Sequence, residues 1–280
     1  MITILALVVR IVANPLANVF QKKAVADGLC AARVNCASYV LLAIITLPLF
    51  VSFEYINLKF LLLCAVSGLM GALSNYFLIR ALELADLSVL GPINSYNAII
   101  GIVFAIVLLG EYPDVYGLIG VLLIVCGSYF IVDSGGRFCF SMFKNKGIRY
   151  RFYALFLAGI EAVLLKKIIL CSSVEVGFSA WALGGALFSL PLAIISKNKS
   201  SVSVVHAGCR IFLIALLFGA MQLSTNYVFE YVKVGYALAL FQLSGVLSVV
   251  FGWLFFGEKN IVKKLIGAVM MSIGAGAIVL

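Results

Sequence analysis

Two stretches of this chain repeat one another, and that repeat limits the fold more than any other feature. The first copy runs from Gly68 to Gly120 through GLMGALSNYFLIRA, SYNAIIGIVFAIVLLGE and LIG. The second runs from Gly219 to Gly267 through GAMQLSTNYVFEYV, QLSGVLSVVFGWLFFGE and LIG. Gly68, Met70, Asn75 and Tyr76 fall on Gly219, Met221, Asn226 and Tyr227, a shift of 151. Phe104, Gly110, Glu111 and Gly120 fall on Phe251, Gly257, Glu258 and Gly267, a shift of 147, so the second copy has a shorter link in between. Weaker echoes lie outside: Phe20 to Val25 resembles Leu164 to Ile169, and Leu47-Pro48-Leu49 matches Leu190-Pro191-Leu192. A duplicated apolar pattern is what a carrier built from two related halves writes into its sequence.

The repeated material is greasy. Of 280 residues, 64% are hydrophobic and 11% charged, against roughly 45–50% and about 25% for a soluble domain. About 20 mostly apolar residues cross a bilayer, and ten such segments use nearly the whole chain. The expected spans are 2–24, 31–51, 60–82, 87–109 and 115–133, then 151–170, 177–196, 209–231, 235–256 and 263–280. This predicts an all-α integral membrane protein with one five-helix unit at 1–133, a basic linker at 134–150 and a second unit at 151–280. Five is odd, so the second unit enters the membrane upside down relative to the first. The pattern predicts ten transmembrane helices as two inverted five-helix repeats, with a substrate path between them.

The net charge of +9 sits in short links, which reads as membrane orientation and not as a nucleic-acid surface. The links after odd-numbered spans hold about fifteen of the twenty Lys and Arg, which puts them in the cytoplasm and both termini outside. The seven cysteines are scattered without a CxxC pair, which speaks for packing and against a metal or disulfide framework. A cleaved signal peptide is not expected, since the first apolar run has no basic leader. His206 is the single histidine and there is no GxxxxGK[ST] loop, so no catalytic triad, His-based metal site or ATP-driven pump is expected. A lipid-modifying membrane enzyme would need clustered His, Asp or Glu at the interface, and a channel would need a selectivity ring.

The polar residues inside spans are therefore the candidates for function, because an ionisable group there faces a cavity or a partner by default. Arg10 and Asn14-Pro15 share the first span, where the proline should kink or loosen the helix and free the carbonyl of Ile11 for a substrate; the alternative is a packing kink with Arg10 reaching out to the interface. Glu161, in the sixth span, is a candidate coupling site for protons, and Arg10 is a second. The alternative for Glu161 is an intramembrane pair with a lysine or with Arg10. The duplicated Asn75-Tyr76 and Asn226-Tyr227 offer either a polar grip on substrate, for which Tyr76 and Tyr227 are the candidates, or helix-to-helix hydrogen bonds, the reading favoured for Asn75 and Asn226. Asn94, Tyr96, Asn97, Gln242 and Ser244 differ between the halves, as an asymmetric ligand requires, and are expected to line the cavity. Trp181 would supply either a stacking wall or a lipid-facing packing surface. Glu111 and Glu258 are expected to cap or bind the start of the next helix, and Arg80 with Glu83 to form an interfacial pair of little weight.

Two hydrophobic fourth helices ending in Gly110-Glu111 and Gly257-Glu258, each followed by Gly120 or Gly267, resemble the drug/metabolite transporter superfamily and specifically its EamA-like ten-helix carriers. The resemblance spans essentially the whole chain. It implies secondary-active transport of a small metabolite by alternating access without ATP, often efflux of an amino-acid-like or drug-like compound, with protons as a possible driving ion. Carriers of sugars or nucleotide-linked metabolites share the fold and are the alternative. The expected partners are a small-molecule substrate and the lipid bilayer, with no cofactor, no metal and no nucleic acid, in a monomer or homodimer. The expected location is the cell membrane, of bacterial inner-membrane type. Members of the superfamily keep both termini in the cytoplasm, opposite to the charge count.

Overall fold

The computed structural model describes residues 2–51, 57–97, 99–100, 115–131, 143–196, 204–232 and 234–277. The described residues form helices and the links between them: α1 (Ile2–Ala26), α2 (Ala31–Val51), α3 (Leu58–Leu84), α4 (Leu87–Ile93), α5 (Val115–Ile131), α6 (Lys146–Cys171), α7 (Val174–Ile195), α8 (Val204–Tyr231), α9 (Val234–Phe241), α10 (Leu243–Phe256) and α11 (Ile261–Ala277). Among the described residues six segments are long and apolar enough to cross a bilayer: most or all of α1, α2, α3, α7 and α8, and Ala237–Phe256, which joins most of α9 to α10. Their outer faces carry exposed Ile44, Ile45, Leu187 and Ile194, a surface that suits acyl chains and not water. The chain is a multi-pass membrane protein.

Helix starts are fixed by short polar side chains in the links. Asn57 accepts a hydrogen bond from Phe60 N at 2.8 Å, Ser173 from Val176 N at 3.2 Å and Asn145 from Gly147 N at 2.8 Å. Each satisfies an amide that the first helical turn leaves without a partner. The cap at Asn145 moves the start of α6 well ahead of the expected 151. The basic stretch through Arg151 is therefore helical from Lys146, and Arg151 lies inside the bundle at 6% exposure.

The main packings are α3 on α6, α5 on α11, α2 on α7, α1 on α8, α3 on α7 and α4 on α10. With α9 and α10 taken together as the counterpart of α4, exchanging the first set (α1 to α5) with the second (α6 to α11) maps these pairings onto one another except α3 on α7, whose counterpart, α2 on α8, is a slighter contact. One crossing is closer than its counterpart. A Cβ on Gly68 would stand 2.5 Å from Gly184 Cα, so α3 and α7 touch backbone to backbone, whereas a Cβ on Gly219 would meet the Leu42 side chain at 2.7 Å. Glycine at such crossings lets backbones approach. The pair α5 and α11 uses the same device: Cβ atoms at Gly127 and Gly274 would strike the carbonyls of Gly267 and Gly120 at 2.8 and 2.7 Å.

The expected long fourth and ninth spans are both interrupted. After α4, Asn94 N turns back to Gly91 O and Ser95 N to Pro92 O; after α9, Gln242 N turns to Ala239 O and Gly245 N to Gln242 O. These three-residue turns replace helical bonds, and the two breaks meet where Asn94 Nδ2 donates to Gln242 Oε1 at 3.1 Å. Gly91 and Gly245 let the broken helices cross, the first against Ser248 and the second against Pro92. By contrast α1 runs unbroken through Pro15. Pro15 brings no N–H to the carbonyl of Ile11, but the helix continues past it; the breaks lie at Asn94 and Gln242.

One Gly-Glu pair is described. Gly257 takes φ +61° and closes α10, its N–H bonding Trp253 O at 2.9 Å, a left-handed cap that glycine adopts without strain. The turn lays the Glu258 carboxylate over Gly252, where a side chain would collide with it. From there Glu258 accepts hydrogen bonds from Leu87 N and Ser88 N, both at 2.9 Å, and from Lys22 Nζ at 3.0 Å. The expected cap exists, but on α4 of the first half and not on the next helix. Lys264 adds Ser88 Oγ at 2.7 Å and Asp86 at 3.2 Å to the same cluster. Burial alone would raise the Glu258 carboxyl, but its bonds to Ser88 and Lys22 outweigh burial and hold it below the usual carboxylate range. Gly110 and Glu111 lie outside the described residues.

Two outcomes follow from these contacts. Gly68→Ala forces two backbones apart and should cost about 1–3 kcal/mol, visible as a lower melting temperature in detergent; Gly219→Ala should cost less, because Leu42 can rotate away. Equal losses would contradict the backbone contact. For Glu258 the folded carboxyl is depressed, so its stabilisation is present above the unfolded value of about 4.3 and is lost as pH falls through the folded value. Glu258→Gln should therefore melt below wild type at neutral pH, and the gap should close in acid. A gap independent of pH would mean that the charge contributes nothing.

Candidate functional site

Between the two sets of helices lies a cavity of about 130 Å³ lined by α1, α2, α3, the α4 break, α6, α7, α8 and α9. Of the residues singled out in the sequence, Arg10, Asn14, Asn75, Asn94, Asn97, Glu161 and Trp181 line it. Its charge comes from Arg10 on α1, Arg151 on α6 and Glu161 on α6.

Each arginine is held from the other half. Arg10 Nε donates to Thr225 Oγ1 at 2.8 Å on α8, and its guanidinium lies 4.7 Å from the centre of the Phe241 ring on α9. Arg151 Nε donates to Leu90 O at 3.1 Å and its Nη2 to Asn94 Oδ1 at 2.9 Å. The bond to Leu90 O has a clear cause. Leu90 O would accept from Asn94 N in a continuous helix, but that N–H has turned to Gly91 O. The carbonyl is orphaned inside hydrocarbon, where an unsatisfied group costs several kcal/mol, and Arg151 fills the vacancy.

The second break is repaired from within. Leu238 O, abandoned by Gln242 N, accepts instead from Gln242 Nε2 at 2.6 Å; Phe241 O, abandoned by Gly245 N, accepts from Ser244 Oγ at 2.7 Å. Gln242 and Ser244 were expected to line the cavity. They are buried behind it, mending carbonyls and bracing lining residues: Gln242 holds Asn94, and Ser244 accepts from Asn14 Nδ2 at 3.3 Å. The difference between the halves that the sequence displays is thus partly a difference in how each break is satisfied.

Glu161 accepts from Trp181 Nε1 at 2.7 Å and fits against Gly71, where any side chain would collide with it. Among the described residues it forms no ion pair, so the alternative of a structural pair with a lysine or Arg10 is corrected. Lys166 reaches the carbonyls of Glu230 and Val232 instead, at 3.3 and 3.4 Å. Trp181, 2% exposed, does form a wall: Tyr39 and Phe218 each stand 4.9 Å from it and Phe178 stacks at 5.8 Å.

The three tyrosines singled out do not line the cavity. Tyr96 packs edge-on to Phe152 at 5.1 Å. Tyr76 lies among Phe20 and its neighbours, and Tyr227 donates to Glu175 at 3.1 Å on an exposed face. A tyrosine one position after a buried asparagine sits about 100° round the helix, so both partners of the repeated pair cannot face inward. Asn75 does line the cavity, within a ladder in which Gln21 donates to Asn75 at 3.3 Å, Asn75 to Asn35 at 2.7 Å and Asn35 to Ala72 O at 2.9 Å. Asn226 is fully buried and outside the cavity, whereas Gln222, one turn before it, is on the lining. Arg80 and Glu83 pair at 2.6 Å on the surface as expected.

Sequence reading missed Arg151, Tyr39, Phe218 and Thr225. The signal for Arg151 was Asn145, a capping residue six positions earlier that starts the helix and carries Arg151 inward. No local signal marks Tyr39, Phe218 or Thr225, whose position follows from packing alone.

A protein of known crystal structure is 14% identical over 97% of this chain and 95% of its own, with a TM-score of 0.64, a likeness of fold alone. No curated protein matches the sequence. The sequence model of the EamA-like transporter family matches residues 1–133 and again 145–280. Two matches that between them take in nearly every residue, on a multi-pass helical chain closed around a polar cavity, establish that this protein belongs to the EamA-like transporter family, within the drug/metabolite transporter superfamily.

Proposed function

We propose that this chain is a secondary carrier of ten spans, in which inverted halves of five helices, 1–133 and 151–280, rock about a substrate held in the central cavity. The observation that carries the reading is the reciprocal hold on the two arginines: each half lends a guanidinium to the cavity and fixes it with groups of the other half. A site shared in this way is remade whenever the halves move, which couples binding to exposure on one side or the other. The pairing of helices, which survives exchange of the halves, supports the inverted arrangement. So do the two crossing interrupted helices, the usual place for substrate and ion contacts in carriers.

The substrate is a small metabolite, of the size of an amino acid or a drug-like fragment, seated between the Trp181 wall and the polar residues of α1 and the α4 break. Glu161 is the coupling group. It is a lone buried carboxylate with a single described hydrogen bond, facing the cavity on a helix that also carries Arg151, so gain or loss of one proton changes the charge the substrate meets.

In proteoliposomes the carrier reading predicts that unlabelled substrate on the far side accelerates uptake of labelled substrate. A flux indifferent to trans substrate would favour a channel. Glu161→Gln should abolish the dependence of transport on a pH gradient while leaving substrate affinity within about threefold. If gradient dependence persists in that variant, the proton is carried elsewhere.

A further inference from the structure

Charge in the cavity does not balance. Among the described residues Arg10 and Arg151 both face it, and Glu161 is the single acidic residue of its lining. With Glu161 ionised the excess is one positive charge; with Glu161 protonated it is two. Among the described residues neither guanidinium is ion-paired. The ion pairs there are Lys22–Glu258, Arg80–Glu83, Arg210–Asp27 and Lys264–Asp86. Arg10 also keeps its Nη1 buried with no hydrogen-bond partner among the described residues. A buried cation with an idle donor is costly, and an oxyanion is the ligand that relieves it: guanidinium groups present paired N–H donors matched to carboxylate or phosphate.

The rest of the wall says what the anion is attached to. Tyr39, Trp181 and Phe218 form one aromatic face, and Phe229 and Phe241 border the other side. Those surfaces suit a flat apolar body and offer nothing to a bare inorganic ion. Asn97 Oδ1, buried at the cavity and with no partner among the described residues, is an acceptor left for a ligand hydroxyl or amide N–H.

Resting on the carrier reading, we infer that the substrate is an organic anion, a carboxylate on a planar apolar body, whose charged end lies between Arg10 and Arg151 and whose body lies against Trp181. Glu161 already accepts from Trp181 and packs against Gly71, and an ammonium group in the same cavity would face two guanidinium groups against that one carboxylate.

The test uses the purified full-length chain and four aromatic probes that differ in charge: benzoate, its neutral amide benzamide, the cation benzylamine and the zwitterion phenylglycine, with inorganic phosphate as the bare oxyanion. Benzoate should raise the melting temperature, with phenylglycine at least tenfold weaker and benzamide, benzylamine and phosphate without effect. Arg10→Gln should weaken benzoate roughly 10- to 100-fold, and Arg10→Lys should recover part of the loss. Binding of benzylamine, benzamide or phenylglycine as tight as benzoate overturns the inference, as does an unaltered benzoate affinity in Arg10→Gln. Phosphate binding as tight as benzoate overturns the organic body. Counterflow separates this from the carrier reading. Exchange of phenylglycine or benzylamine but not benzoate keeps the carrier and removes the anion. Benzoate binding without trans-stimulated exchange keeps the anion site and removes the carrier.

Discussion

A carbonyl without a donor cannot be left in hydrocarbon, and much of the centre of this protein follows from that constraint. Interrupting a helix inside a membrane releases carbonyls that water would satisfy elsewhere. Here two helices are interrupted at the same depth, at Asn94 and at Gln242, and the polar side chains gathered there answer the released groups. Leu90 O receives Arg151, Leu238 O receives Gln242 and Phe241 O receives Ser244. The cavity is polar at this level because the backbone is broken at this level.

That accounting also explains why the two halves, so alike in sequence, are unlike at their junction. In one, the repair comes from the opposite half as a charged side chain; in the other, from neutral side chains one or a few residues away. The exchange places a fixed positive charge at the first break and none at the second. Arg10 supplies a second charge from α1, held by Thr225 and Phe241. A cavity so lined is electrically lopsided, which a symmetric repeat could not achieve by itself. The outer charges do different work: Lys22, Glu258 and Lys264 tie α1, the α10–α11 turn and the start of α4 together at one end of the bundle.

Much of the architecture could be read from the residues before any coordinates. The apolar runs placed α1, α2, α3, α7 and α8 within a few residues. Polarity within an apolar run picked out Arg10, Asn14, Asn94, Asn97 and Glu161, which the fold gathers on the cavity lining. It failed for Gln242 and Ser244 because polarity alone cannot separate a side chain that faces a ligand from one that mends its own backbone. It failed for Tyr76 and Tyr227 because repetition shows that a position matters, not which way it points. Proline alone does not mark a break: α1 continues through Pro15, while the break after Pro92 was legible only as a polar cluster. Arg151 escaped because its helix begins a turn and a half earlier than hydropathy suggests.

The most direct measurement is the accessibility of one cavity position from each side of the membrane. A single cysteine introduced as Ala158→Cys, in a chain otherwise freed of cysteine, stands on the lining of the cavity on α6. In sided vesicles a membrane-impermeant thiol reagent should label it from either face, and bound substrate should protect it. Labelling from one face alone, or from neither, would contradict a cavity shared by two moving halves.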